Sequence, residues 1–316
     1  MPFTILPPAE KLPLSARRDV RDSFESKKEG LEKQLSEVCG EAWTIDISPN
    51  AIYPYAPEDS YVHNALGAAL AGYVDGAIYE LKRFREHNGD AGMQDLNTIC
   101  HARTLTMAPD EAEKFLYNGV DVDSAGRLRM LFNPEKLGVN IGDCFNDDKL
   151  SNALDATPLP EDSGSVLTHK AKISVENGFN SKVEDLRSSI SDIVKNPDIK
   201  ITVNFDETYQ KLKTARDSGV SMAVDNFDEN LGNLTAEYLA SLAGSLKSKG
   251  FDKDEMLQEG FNEAISKGEI AFRVVDSIKG GSGECAIEDG VLFLQCTPEK
   301  WGSNISDIAN DLIDLL

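Results

Sequence analysis

The sequence predicts an α+β protein: two tandem copies of one unit, each a sheet with helices packed on one face, the pair in a pseudo-two-fold arrangement. Three observations predict it. The stretch Asn133-Pro134-Glu135-Lys136-Leu137-Gly138-Val139-Asn140-Ile141-Gly142-Asp143 returns as Thr297-Pro298-Glu299-Lys300-Trp301-Gly302-Ser303-Asn304-Ile305-Ser306-Asp307, so that Pro, Glu, Lys, Gly, Asn, Ile and Asp all recur 164 residues on. Upstream, Phe24, Ser26, Lys27 and Leu31 recur as Phe179, Ser181, Lys182 and Leu186 at a separation of 155 residues. Each copy then runs helix, strand, helix, helix, three strands, helix. The expected domains are 1–155 and 166–316, with 156–165 as linker.

The first helix begins near Ser15, read as its N-cap, and Phe24, Leu31, Leu35 and Val38 carry its apolar face to about Cys39. A short strand follows in each copy, Trp43–Ile47 and Ile199–Val203, marked by alternating apolar and polar residues. Tyr53 matches Tyr209, after which the second copy holds about nine extra residues around Asp217-Ser218-Gly219, expected as loop. The long helices span about 64–84 and 230–249. Gly67, Gly72 and Gly76 lie inside the first, and each interior glycine costs about 0.5–1 kcal/mol relative to alanine. Close backbone approach to a sheet or a partner helix is the physical compensation, and of the two the sheet is the first expectation.

A second helix covers about 93–100 and 254–265, with Asn97 over Asn262. Three strands follow, near Thr104–Met107 and Ile270–Val275 and then as hairpins, of which Asp289-Gly290 between apolar runs is a two-residue turn signal. In the repeated stretch, Asn133 or Thr297 reads as N-cap, Pro134 or Pro298 as N1, and Gly138 or Gly302 as the closing residue. Asn140 or Asn304 then reads as the cap of a final helix, with Asp143 or Asp307 at N3. The linker, Ala156 to Ser165, is rich in Pro, Ser and Gly.

Composition bounds the function. A formal net charge of −22 without a Lys/Arg cluster argues against nucleic acid and anionic membrane as partners, and no apolar run approaches the roughly 20 residues of a membrane span. The start, broken by Pro2, Pro7 and Pro8, lacks the basic and apolar regions of a secretory signal. Five cysteines without a Cys-x-x-Cys fit reduced thiols, so the expected location is cytoplasmic and the expected state a monomer or weak homo-oligomer.

Chemistry-bearing patterns are few. Asp121-Val122-Asp123-Ser124-Ala125-Gly126 opens like a calcium loop, but Ala125 and Phe132 stand where an oxygen and a bidentate Glu are needed, which leaves a hairpin turn. Gly280-Gly281-Ser282-Gly283 precedes a strand and lacks the Lys-Ser/Thr of a phosphate loop. His63, His87, His101 and His169 have no histidine at the matching place, so no metal or cofactor is expected. The first expectation is a binding or interaction protein, a pseudo-dimer of duplicated domains whose partner is a protein or a small molecule. The second is a small-molecule enzyme using the carboxylates Asp75, Glu80 and Asp95, which face Ala240, Ser245 and Gly260 in the other copy. Tyr79, Lys136, Lys300 and Trp301 are the candidate binding residues.

Overall fold

Alternation of apolar and polar residues builds two four-stranded sheets of the same design. The structure is a computed structural model that describes residues 5–159 and 164–316, so the first four residues and positions 160–163 of the expected linker lie outside the described residues. Contacts divide the chain into unit 1, Met1–Ser163, and unit 2, Gly164–Leu316.

Unit 1 runs α1 (Leu14–Asp19), α2 (Lys28–Cys39), β1 (Thr44–Asp46), α3 (Pro49–Ile52), α4 (Leu66–Ile99), β2 (Thr104–Pro109), β3 (Asn118–Val122), β4 (Leu128–Phe132) and α5 (Asp147–Ala156). Unit 2 runs α6 (His169–Ser174), α7 (Val183–Val194), β5 (Lys200–Val203), α8 (Phe205–Asp217), α9 (Phe227–Ser248), α10 (Glu255–Ala264), β6 (Glu269–Val274), β7 (Glu284–Glu288) and β8 (Val291–Cys296). Both sheets take one order, β1-β2-β4-β3 and β5-β6-β8-β7, with two parallel pairings and a closing antiparallel hairpin.

Register agrees as well as order. Leu105 pairs with Leu128 and Ile270 with Leu292, while the hairpin partners are Val122 and Ile287. One residue fewer between Ile287 and Leu292 than between Val122 and Leu128 explains why the separation of matching residues drops from 165 to 164 within this turn. A one-residue slip would have turned every strand side chain to the opposite face. In unit 1, Ile45, Leu105, Met107, Leu128, Met130 and Phe132 point into a core closed by the helices. Thr44, Thr104, Thr106 and Arg129 alternate onto the other, polar face.

The expected single first helix is broken in both units. A π turn, Val20–Phe24 or Val175–Asn180, separates two α segments, and Pro13 rather than Ser15 stands at the N-cap. Ser15 instead donates its hydroxyl to Asn64 Oδ1 at 3.1 Å. The break sits where the long helix presses closest. A Cβ on Gly67 would lie 2.6 Å from Val20 Cα, and one on Gly232 would lie 2.7 Å from Val175 Cα. Side chains just before the break tie the contact: Asp19 Oδ2 accepts from Ala68 N at 2.9 Å, and Ser174 Oγ accepts from Gly232 N at 3.0 Å. The glycine-rich face of α4 therefore packs on the first helix, and further along on the repeated stretch, where Gly72 meets Ile141 and Gly76 meets Gly142. The sheet expected as its neighbour is not what these glycines touch.

Three further elements differ from expectation. Part of the extra residues of unit 2 lengthens α8, capped by Asn204 Oδ1 accepting from Glu207 N at 3.1 Å, where unit 1 has only the short α3, and Ser218 and Gly219 follow it as the expected loop. Asn140 and Asn304 are not side-chain caps. Both are left-handed, at φ 53° and 44°, and α5 starts later behind Asn146, while unit 2 ends in 3₁₀ turns, the last over Leu312–Leu315. The repeated stretch is held to the long helix instead: Tyr73 Oη accepts from Gly138 N at 3.0 Å, and Tyr238 Oη accepts from Gly302 N at 2.9 Å. No helix among the described residues is long and apolar enough to cross a membrane.

Candidate functional site

The residues singled out in the sequence scatter along α4. Asp75 is exposed and lines a groove of about 760 Å³ against Lys33 of α2 and Lys27 just before it. Tyr79, one turn on, is 61% exposed. Glu80 is buried, with Arg83 Nη1 donating to its Oε2 at 3.5 Å. Asp95 is buried beyond a break in the helix, beside Cys100. Asp75 and Glu80 are five residues apart on one helix, and neither Glu80 nor Asp95 lines the groove that holds Asp75, so the three carboxylates do not assemble as an acid/base set.

The candidate binding residues fare no better as a group. Trp301 is fully buried in the unit 2 core, its indole N–H without a hydrogen-bond partner, which corrects its reading as a surface contact. Five residues beyond the end of β8, its large apolar ring is part of the unit 2 core rather than facing solvent. Lys136 lies over the Tyr117 ring at 4.9 Å, a cation–π contact within unit 1, and Lys300 is exposed.

A different place in unit 1 has the geometry of a site. A cleft of about 1010 Å³ opens between the C-terminal end of α2, the second half of α4 and the entry to β2, lined by Cys39, Gly40, Glu41, Arg85, Asp90, Met93, Gln94, Asn97, Thr98, His101 and Arg103. Three local features build it. Gly89, at φ 64° and ψ −163°, adopts a backbone open essentially to glycine alone and redirects α4, so that Gln94, Asn97 and Thr98 come from a different axis than Arg85. Asn97 locks the turn, donating Nδ2 to Cys39 O at 2.8 Å and accepting from Trp43 Nε1 at 2.8 Å. Its counterpart Asn262 donates to Val194 O at 2.9 Å, so the matched asparagines have a structural duty in both units.

The third feature is Arg103, a non-glycine residue in the left-handed region at φ 46°, where unit 2 places Gly268 at φ 61°. Such a backbone costs a side chain on the order of 1 kcal/mol or more.

Charge distinguishes this cleft from the matching face of unit 2. Positions 85, 101 and 103 carry Arg, His and Arg, where unit 2 has Gly250, Ser266 and Gly268. Along the following helix, Gln94 and Thr98 stand where unit 2 has the exposed Glu259 and Glu263. The two arginines are partly engaged. Arg85 Nη2 donates to Asp90 Oδ1 at 2.7 Å and Nη1 to Val38 O at 3.1 Å, while Arg103 Nη1 stands 3.5 Å from Glu41 Oε2. Cys39 is no nucleophile here: burial pushes its thiol up to about 12, against a smaller opposing pull from Arg85, and burial raises Cys100 further still.

The sequence reading passed over Arg85 and Arg103, and considered His101 only as a metal ligand. The signal was present, since a residue-by-residue comparison of the two copies shows arginine against glycine at both places. A scan against protein-family models and searches of curated proteins and of solved structures found no match for this chain.

Proposed function

We propose that this protein is a binding protein built from a duplicated α+β unit, in which unit 1 carries a small-molecule cleft whose arginines have no match in unit 2. The observation that carries the reading is the difference in charged residues between matching faces. Two arginines and a histidine replace two glycines and a serine, and two glutamates are absent, in a chain of net charge −22. A cleft of about 1010 Å³ sits at the upper end of the usual roughly 300–1,000 Å³ range for small ligands. Catalysis is the second reading, and the asymmetry between units favours it, but the cleft contains no hydrogen-bonded nucleophile and base of the kind acyl or proton transfer needs.

The test is a thermal-shift screen of small metabolites on the whole chain, repeated with Thr98→Trp to fill the unit 1 cleft and Thr214→Trp in unit 2 as control. Thr98 is exposed, so the larger ring is tolerated by the fold. The expected result is a compound that stabilises the wild type and the control but not Thr98→Trp. Stabilisation that Thr98→Trp retains would remove the cleft as the site, and conversion of the bound compound would make the protein an enzyme.

A further inference from the structure

We propose that the unit 1 cleft takes a small dicarboxylate, one carboxylate at Arg85 and the other at Arg103; this rests on reading that cleft as the binding site. Both arginines already hold a carboxylate, and both pairs lie open to solvent. The Asp90 side chain is 88% exposed and that of Glu41 48% exposed, so these ion pairs are worth little in water and yield readily to a ligand. Arg85 is the better anchored of the pair, because its Nη1 also donates to Val38 O at 3.1 Å at the end of α2. The guanidinium group is planar and offers paired N–H donors, a geometry that matches a carboxylate bidentately and that lysine cannot supply.

An independent observation points to the same side chain. Arg103 is held at φ 46° in a position that unit 2 fills with glycine, so the chain retains a side chain exactly where the backbone disfavours one. Its pairing with Glu41, at 3.5 Å between two half-exposed side chains, is weak in water. Gln94 and Thr98 line the same cleft, are exposed, and offer an amide and a hydroxyl to the body of a short polar molecule. Gln94 and Thr98 are uncharged where unit 2 has two glutamates, which lessens the repulsion on a dianion and leaves Asp90 and Glu41 as the acidic side chains of the cleft.

Isothermal titration calorimetry of the full chain with succinate, citrate, inorganic phosphate and the neutral succinamide tests the proposal, using wild type, Arg85→Gln and Arg103→Gly. Glycine suits the left-handed backbone at position 103, so that variant stays folded, and its melting temperature verifies it. Succinate or citrate is expected to bind the wild type, with affinity falling about tenfold or more in each variant. Succinamide is expected not to bind, and phosphate to bind more weakly than the carboxylates. Absence of carboxylate binding at about 10 mM, or binding that both variants retain, would overturn the proposal. Tighter binding of phosphate would also overturn it in favour of a phosphate-bearing ligand. A neutral metabolite that binds wild type but not Thr98→Trp would defeat the dicarboxylate while leaving the cleft itself intact.

Discussion

Lys195 and Gly40 occupy the same left-handed position after the second helical segment of their units, at φ 54° and 73°. Glycine closes a helix there without a Cβ penalty, whereas lysine carries one. Lys195→Gly is therefore expected to raise stability by roughly 0.5–1 kcal/mol, read by urea denaturation at constant slope. A loss of stability would show that the Lys195 side chain makes a contact worth more than the strain.

Asp123 illustrates a single side chain that organises a turn. Burial pushes its carboxyl up, but the Arg127 N–H and guanidinium and the Ala125 N–H donate to it and together hold it below the usual carboxylate range. With the folded-state value depressed, its contribution is present above the ordinary Asp range near 3.9 and is lost as pH falls through the folded value. Asp123→Ala is expected to lower stability at pH 7 and to flatten the acid limb below about pH 4, measured by thermal melts across pH. An unchanged acid limb would place the linked protons elsewhere.

Among elements, the long helix and the strap of repeated residues form one mechanical pair in each unit. The hydroxyl of Tyr73 accepts from Gly138 N and donates to Asn118 Oδ1 at 3.0 Å, and Asn118 Nδ2 in turn donates to Val139 O and Asn140 O at 2.8 Å each. Removing the hydroxyl strands a backbone N–H, so Tyr73→Phe and Tyr238→Phe are each expected to cost about 1–3 kcal/mol. Guanidinium denaturation of the two variants checks this. Equal stability of both with wild type would mean that water replaces the tyrosine.

Glycine in the long helices separates close approach from mere tolerance. A Cβ on Gly232 overlaps Ser174 O and Val175 Cα, while one on Gly244 meets nothing within 4 Å. Gly232→Ala is expected to destabilise by about 1–3 kcal/mol through backbone displacement, and Gly244→Ala to stabilise by about 0.5–1 kcal/mol through helix propensity. The pair, compared by melting temperature, would have to move in the same direction to defeat this account. The repeated glycine at 67 and 232 was legible as a cost in the sequence. What it faced was not, because the π turn that receives it has no local signature and forms only where the helix presses.

At the scale of the whole molecule, the two units have separate cores. Among the described residues the unit 1 cluster runs from Leu12 to Leu154 and the unit 2 cluster from Leu167 to Leu312, with no buried residue in both. Each unit is within the size at which a single domain buries enough surface to fold alone. Residues 1–163 and 164–316 expressed separately are each expected to melt cooperatively, followed by circular dichroism. A fragment that unfolds without a cooperative transition would show that its stability depends on the other.

Much of the architecture was readable from residues because its causes are local. Alternation set the strands, glycine and asparagine set the turns, and constant separations of 155, 165 and 164 residues revealed that one order of elements occurs twice. Extra residues and the loop at Ser218-Gly219 were seen, but not the length of α8 before it, since a polar amphipathic segment and a loop look alike until Asn204 caps one. Tertiary structure decided the rest: the crossover that places β4 beside β2, the burial of Trp301, the break at Gly89 and the meeting of Arg85 with Arg103 around one cleft. These depend on residues distant in sequence meeting in space, and a spacing rule of three or four residues carries no information about which distant neighbours a folded chain will choose.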